Sequence, residues 1–230
     1  MIPARQLVLP FAAPASLTGE DFLVAGPNVD AVRRLECWPD WRSTALTMWG
    51  PTGCGKTHLS HVFLTRSQGM LVGHQALAFD QAIDVAARAT ACIVDDADQA
   101  VAQGFEKPLL HLHNTLAERG GHLLLTAEAP PVRWQMGLAD LRSRLLAADV
   151  VGIGSPDDEL IAGVLIKLFA DRRLKVEDEV ILYALPRIER SFAAARRLVA
   201  DLDAAALGQR RKVTVPLLRQ VLGTGVEESD

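Results

Sequence analysis

The chain has 230 residues, 49% hydrophobic and 23% charged, which are the proportions of a globular protein and exclude disordered and fibrous classes. Its net charge is -4, with 12 basic against 15 acidic side chains over residues 1–154 and 12 against 10 over residues 155–222, so no segment is basic enough to suggest autonomous grip on duplex DNA. Three cysteines, Cys37, Cys54 and Cys92, form no C-x-x-C pair and fit a reducing compartment, the cytoplasm by default; no apolar stretch approaches the roughly 20 residues of a membrane span.

Residues 1–15 carry three prolines and no helical period, so they read as an extended tail. The apolar run Leu7 to Leu17 is interrupted by Pro10 and Pro14 and preceded only by Arg5, unlike a signal peptide. Within residues 16–154, short apolar runs alternate with helical patterns: Ala45 to Trp49, Met70 to Val72, Ala91 to Val94, Leu123 to Leu125 and Val150 to Ile153. Five such strands separated by helices predict a parallel sheet in an α/β fold, and an aromatic content of 5% predicts an aliphatic core. The strands stop after Gly154. Ser155 and Pro156 then read as N-cap and first helical residue, with a helix to about Arg173. Helical patterns from Val176 to about Ile188, Ser191 to about Gln209 and Thr214 to Leu222 complete a small all-helical domain over 155–222. Residues 223–230 form a loose acidic tail.

The pattern G-x-x-x-x-G-K-[ST] fits Gly50-Pro51-Thr52-Gly53-Cys54-Gly55-Lys56-Thr57, between a strand and a helix that continues through His58 to about Arg66. Glycines there let backbone N–H groups converge on a phosphate, Lys56 neutralises phosphate charge, and Thr57 can ligate magnesium. The bland alternative is a glycine turn with a surface lysine. About 40 residues on, a second strand ends in Asp95-Asp96-Ala97-Asp98, where Asp95 suits the magnesium shell and Asp96 the polarising of an attacking water. Acids that merely end a strand are the competing reading, outweighed by the pairing with the loop. Thr126 ends a further strand at a position expected near the terminal phosphate. Arg142 and Arg144 fall about 200° apart on a predicted helix and cannot serve one surface together. His58 and His61, or His111 and His113, lack the further ligands of a metal site and read as ordinary polar positions.

Taken in order, the loop at 50–57, Ile93-Val94-Asp95-Asp96, Leu124-Leu125-Thr126 and Leu141-Arg142-Ser143-Arg144-Leu145 resemble the AAA+ domain of the bacterial initiator DnaA over about residues 20–222. The sequence ends after its helical part, where DnaA would continue into a DNA-binding domain. With the tail Gln6-Leu7-Val8-Leu9-Pro10-Phe11, it is similar to the Hda (HdaA) family of DnaA-related regulators. That resemblance implies a P-loop AAA+ domain with a helical lid. It further implies that Gln6, Leu7, Leu9, Pro10 and Phe11 dock on the polymerase sliding clamp, the beta subunit. An extended peptide of this kind offers a polar anchor and apolar side chains to a groove, its prolines limiting the entropy lost; a tail folded back on its own sheet is the alternative.

The resemblance also implies that Arg144 acts as an arginine finger on a neighbouring DnaA, with contact to DNA only indirect. ADP is implied as the working nucleotide, or ATP, with Mg2+. Ala193 stands where the family carries the sensor-two arginine, leaving Arg190, Arg196 or Arg197 as substitutes and weak or no self-hydrolysis as the expectation. Homodimerisation is left open. The competing functions are an autonomous AAA+ ATPase that loads helicase or remodels nucleic acid, and a small-molecule kinase.

Overall fold

The computed structural model describes residues 23–73, 77, 88–209 and 212–224. The clamp-docking segment expected at Gln6 to Phe11 therefore lies outside the described residues.

Strands β1 (Ala45–Trp49), β2 (Met70–Val72), β3 (Ala91–Val94), β4 (His122–Ala127) and β5 (Asp149–Gly152) form the expected five-stranded sheet. Its order is β2-β3-β4-β1-β5, and every pairing is parallel. β4 is longer than the expected Leu123 to Leu125 because, between β3 and β1, it is paired on both sides. The ladder with β1 runs from Ala45 opposite Leu123 to Trp49 opposite Ala127, which takes Thr126 into the strand. β5 begins one residue earlier than expected, while Ile153 keeps its N–H on the Trp49 carbonyl at 2.7 Å.

Alternate side chains of the strands feed two cores. Leu46, Met48, Ile93 and Leu124 pack with Ala31, Val32 and Leu35 of α1 (Val29–Glu36) and with Leu59 and Phe63 of α2 (Lys56–Ser67). On the opposite face, Ala45, Cys92, Val94, Leu123 and Leu125 meet three further helices. These are α3 (Ala97–Ala102), α4 (Glu106–Glu118) and α5 (Ala139–Ala147), which contribute Ala100, Leu109, Leu112, Leu116, Leu141 and Leu145. Helices on both faces cover strands whose apolar side chains each add roughly 1.5–3 kcal/mol on burial. His113, read from sequence as an ordinary polar position, is buried on α4, and burial lowers its pKa.

The lid has its own core. Helices α6 (Asp158–Asp171), α7 (Asp178–Ala184), α8 (Phe192–Gln209) and α9 (Val215–Thr224) enclose Leu165, Phe169, Ile181, Val199, Leu202 and Leu218. α7 is shorter than the expected helix to Ile188 because Pro186 cannot continue it, and a 3-10 turn, Leu185–Arg187, takes over. α6 starts later than expected: Asp157, not Ser155, is the N-cap, its Oδ1 accepting the Leu160 N–H at 2.8 Å. A carboxylate is the stronger acceptor and its charge suits the helix N-terminus, which leaves Pro156 outside the helix. Asp157→Ala should cost about 1 kcal/mol, read as a melting temperature lower by roughly 2–4 °C. A melting curve that superimposes on the unmodified protein's would refute this cap.

No helix among the described residues is long and apolar enough to cross a membrane.

Candidate functional site

The chain leaves β1 towards β2 at one edge of the sheet, while β5 lies on the other side of β1. Such a change of direction opens a crevice at the carboxyl ends of the strands, and the chemistry-bearing residues gather there.

The loop from Gly50 to Thr57 fills that crevice between β1 and α2. Gly50 donates its N–H to the Ala127 carbonyl at 3.1 Å, and a Cβ at Gly50 would lie 2.4 Å from the Ile153 carbonyl oxygen. Gly53 and Gly55 take φ of +79° and +100°, so the loop curls in a left-handed conformation closed to most side chains. Cys54 donates its N–H to the Pro51 carbonyl at 3.3 Å, and burial pushes its thiol pKa up despite the nearby Lys56 ammonium. Lys56 is 7% exposed, and its Nζ donates to the carbonyls of Gly50 at 2.7 Å and Pro51 at 3.1 Å. Both carbonyls are neutral acceptors, which cannot neutralise an ammonium as phosphate oxygens would.

Opposite the loop, the Thr57 hydroxyl donates to Asp95 Oδ2 at 3.2 Å. Thr126 donates its hydroxyl to Asp95 Oδ1 and accepts the Asp96 N–H at 3.0 Å. Thr126 is fully buried, with its proton and a lone pair both engaged. It therefore braces the Asp95–Asp96 corner at the carboxyl end of β4. Asp96 turns that corner with φ +54° and lines the cleft.

Sequence reasoning missed three contributors. Glu128, two residues past Thr126, accepts the Thr52 hydroxyl at 2.5 Å and donates its N–H to Asp98 Oδ2 at 2.9 Å. Its signal was available as an acid just beyond a strand that ends at the loop. Ser191 and Phe192 carried none. They approach from the lid, about 140 residues away in sequence: Cβ atoms built on Gly53 and Gly55 would lie 3.0 Å from Ser191 Cβ and 2.8 Å from Phe192 Cε2. Ser191 Oγ also accepts the Ala194 N–H at 3.1 Å, capping α8 at the loop.

The space between core and lid has two parts. A cleft of about 380 Å³ is lined by Thr52, Lys56, Thr57, Asp96, Glu128 and Ala193, among others. A neighbouring cavity of about 260 Å³ is walled by Leu23, Val164, Leu168 and Phe192, with Lys167 and Asp171 at its rim. His58, Phe192 and Arg196 border both. One part offers cations, hydroxyls and carboxylates, and the other an apolar slot: the division a nucleotide needs between its phosphates and its base.

Arg144 lies elsewhere. On α5 it lines neither space, and its Nε donates to Asp140 Oδ1 at 3.0 Å, an exposed pair one helical turn apart. Arg142 is exposed on the same helix. Arg190 forks onto Asp158 at 2.6 and 3.2 Å, a contact that lowers the Asp158 pKa. No group of three or more His, Cys, Asp or Glu side chains that could hold a metal occurs among the described residues. An ion shared by Thr57 and Asp95 would thus complete its shell from nucleotide and water, as magnesium does.

Residues 158–222 match the family described as "Hda, lid domain". Over 92% of this chain, the fold is similar to domain III of the replication initiation protein DnaA from Thermotoga maritima, with a TM-score of 0.77, 18% identity and 97% of that chain covered. AMPPCP-bound DnaA from Aquifex aeolicus matches 79% of the chain at a TM-score of 0.68 and 17% identity. This chain spans 63% of that longer protein. A Thermotoga maritima RuvB variant matches at a TM-score of 0.68 and 13% identity, with 86% of this chain and 68% of that one covered.

Proposed function

Starting from a DnaA-like AAA+ protein that carries an Hda-type lid, we propose that this chain regulates the initiation of replication by promoting ATP hydrolysis on DnaA through Arg144. The observation that carries the reading is the location of Arg144: partly exposed on α5, outside its own cleft, and paired with Asp140 alone among the described residues. An arginine that cannot serve its own nucleotide is available to a neighbour's.

In this reading the phosphates of ADP or ATP lie against the Gly50–Thr57 loop. Lys56 exchanges the Gly50 and Pro51 carbonyls for phosphate oxygens. Thr57 and Asp95 would hold magnesium, which would supply neutralisation of phosphate charge. Asp96, which lines the cleft, orients water, and Thr126 fixes the corner from which it does so. The neighbouring apolar cavity takes the base. Phe192 and Ser191 bring the lid onto the loop, so that occupancy favours one relative position of lid and core. ADP is the working ligand that the resemblance to the Hda family implies.

The tail brings this assembly to its site of action. Gln6, Leu7, Leu9, Pro10 and Phe11 dock on the sliding clamp, and Gln6→Ala should reduce capture by clamp immobilised on DNA. Undiminished capture would remove the docking role. The function itself is tested by following loss of ATP from DnaA in the presence of DNA-loaded clamp, with and without this protein. Identical decay in the two samples would refute it.

The second reading, an autonomous ATPase, is favoured by Lys56, Thr57, Asp95 and Asp96 lying in one site. Turnover by the purified protein alone that rises on adding single-stranded DNA would support it over the first.

A further inference from the structure

We propose that Arg196 is the lid group that grips the phosphate chain of the bound nucleotide, an inference that rests on the nucleotide reading above and names the residue by which the lid senses it.

The basic residues at the lid face differ in their partners. Arg190 is committed to Asp158 through both Nε and a terminal nitrogen. Lys167 donates to both carboxylate oxygens of Asp171, at 3.0 and 3.1 Å. Arg197 is exposed but borders neither space. Arg196 borders both, and it has no ion pair or hydrogen bond among the described residues. Lys56 from the core, held on neutral carbonyls, and Arg196 from the lid, without an ion pair among the described residues, both line the cleft, alongside the carboxylates of Asp96 and Glu128. Its chemistry asks for an anion with several oxygens.

Helix geometry explains how Arg196 reaches the phosphate side. Ala193 and Arg196 are three residues apart on α8, and so are neighbours on one face, about 4.5 Å apart along the axis. Side chains on a helix lean towards its N-terminus, so the arginine lies over the turn that begins at Ala193. The methyl group of Ala193 leaves that surface open, whereas a larger side chain would fill it. The N-terminus of α8 is the end nearest the loop, with Phe192 against Gly55. Arg196 thus extends from the second turn of α8 towards the loop held by Lys56. Its planar fork can meet two phosphate oxygens together, which a flexible ammonium cannot do in the same way.

The consequence is a link between occupancy and lid position: a phosphate chain held by Lys56 from the core and by Arg196 from the lid ties the two together. Mg-ADP binding by the full chain should be titrated for the unmodified protein and for Arg196→Ala, Arg196→Gln and Arg196→Lys, with proteolytic cleavage between residues 154 and 158 followed in parallel. Loss of one charge-assisted contact predicts ADP affinity about 10- to 100-fold weaker for the Ala and Gln variants, an intermediate value for Lys, and loss of ADP-dependent protection. Arg196 has no ion pair or hydrogen bond among the described residues, so the variants should melt with the unmodified protein in the absence of nucleotide. Unaltered ADP affinity in Arg196→Ala would overturn the proposal while leaving the nucleotide site intact. Retained affinity in Arg196→Gln would also overturn it, by tracing the effect to the stem and not the charge. Failure of the unmodified protein to bind Mg-ADP would instead reject the underlying reading, and this proposal with it.

Discussion

Arg144→Ala should abolish stimulation of ATP hydrolysis on DnaA while leaving this protein's own nucleotide binding unchanged. An arginine supplied to another subunit stabilises charge developing at the transition state and is worth about 10³- to 10⁵-fold in phosphoryl transfer. The substitution should be gentle on the fold, because Arg144 and Asp140 are 39% and 53% exposed and such surface pairs contribute about 0–1 kcal/mol. Arg144→Lys should rescue little, since a point charge does not reproduce a guanidinium fork. The measurement is the rate of ATP loss from DnaA with clamp on DNA, alongside a Mg-ADP titration of the variant. Unchanged stimulation by Arg144→Ala would remove the residue from the mechanism. A parallel loss of ADP binding would make its role structural.

The second large effect is expected at Lys56. Its ammonium is buried against the Gly50 and Pro51 carbonyls and is the core cation facing the cleft. Lys56→Ala removes the hydrogen bonds that would otherwise pass to phosphate, each worth about 1.5–3 kcal/mol when charge-assisted, so ADP affinity should fall about 10- to 100-fold. Thermal stabilisation reads this directly. At a ligand concentration about 100 times its dissociation constant, ADP adds about 2.7 kcal/mol to the unmodified protein, and at the same concentration about 0.4 kcal/mol to a variant bound 100-fold more weakly. Equal stabilisation of both proteins by ADP would mean that the nucleotide does not meet Lys56.

Much of the architecture could be read directly from the sequence. Runs such as Ala91 to Val94, buried throughout, announce strands covered on both faces, and the glycines of the 50–57 loop announce a backbone bent where side chains cannot go. Local choices between similar residues were harder to read. Ser155 and Asp157 are both competent caps, and only the geometry of the Leu160 N–H shows which one serves. α1 is eight residues between Pro27 and Pro39, too brief for its apolar face of Ala31, Val32 and Leu35 to register as a period. At the site, spacing suggested which residues lie near β-strand ends but not which way each side chain turns. Thr126 reads as a strand-end hydroxyl near a terminal phosphate, and only the structure shows it turned to Asp95 and the Asp96 N–H. The lid contacts from Ser191 and Phe192, and the position of Arg196 at the border of both spaces, depend on long-range folding that no local pattern encodes.

The central claim is that the loop between β1 and α2 holds a nucleotide diphosphate and that the lid closes on it. Titrating purified full-length protein with ADP in magnesium buffer, by calorimetry, tests it most directly. One site per chain is the result this account predicts. Heats no larger than those of dilution, for ADP and ATP alike, would contradict it.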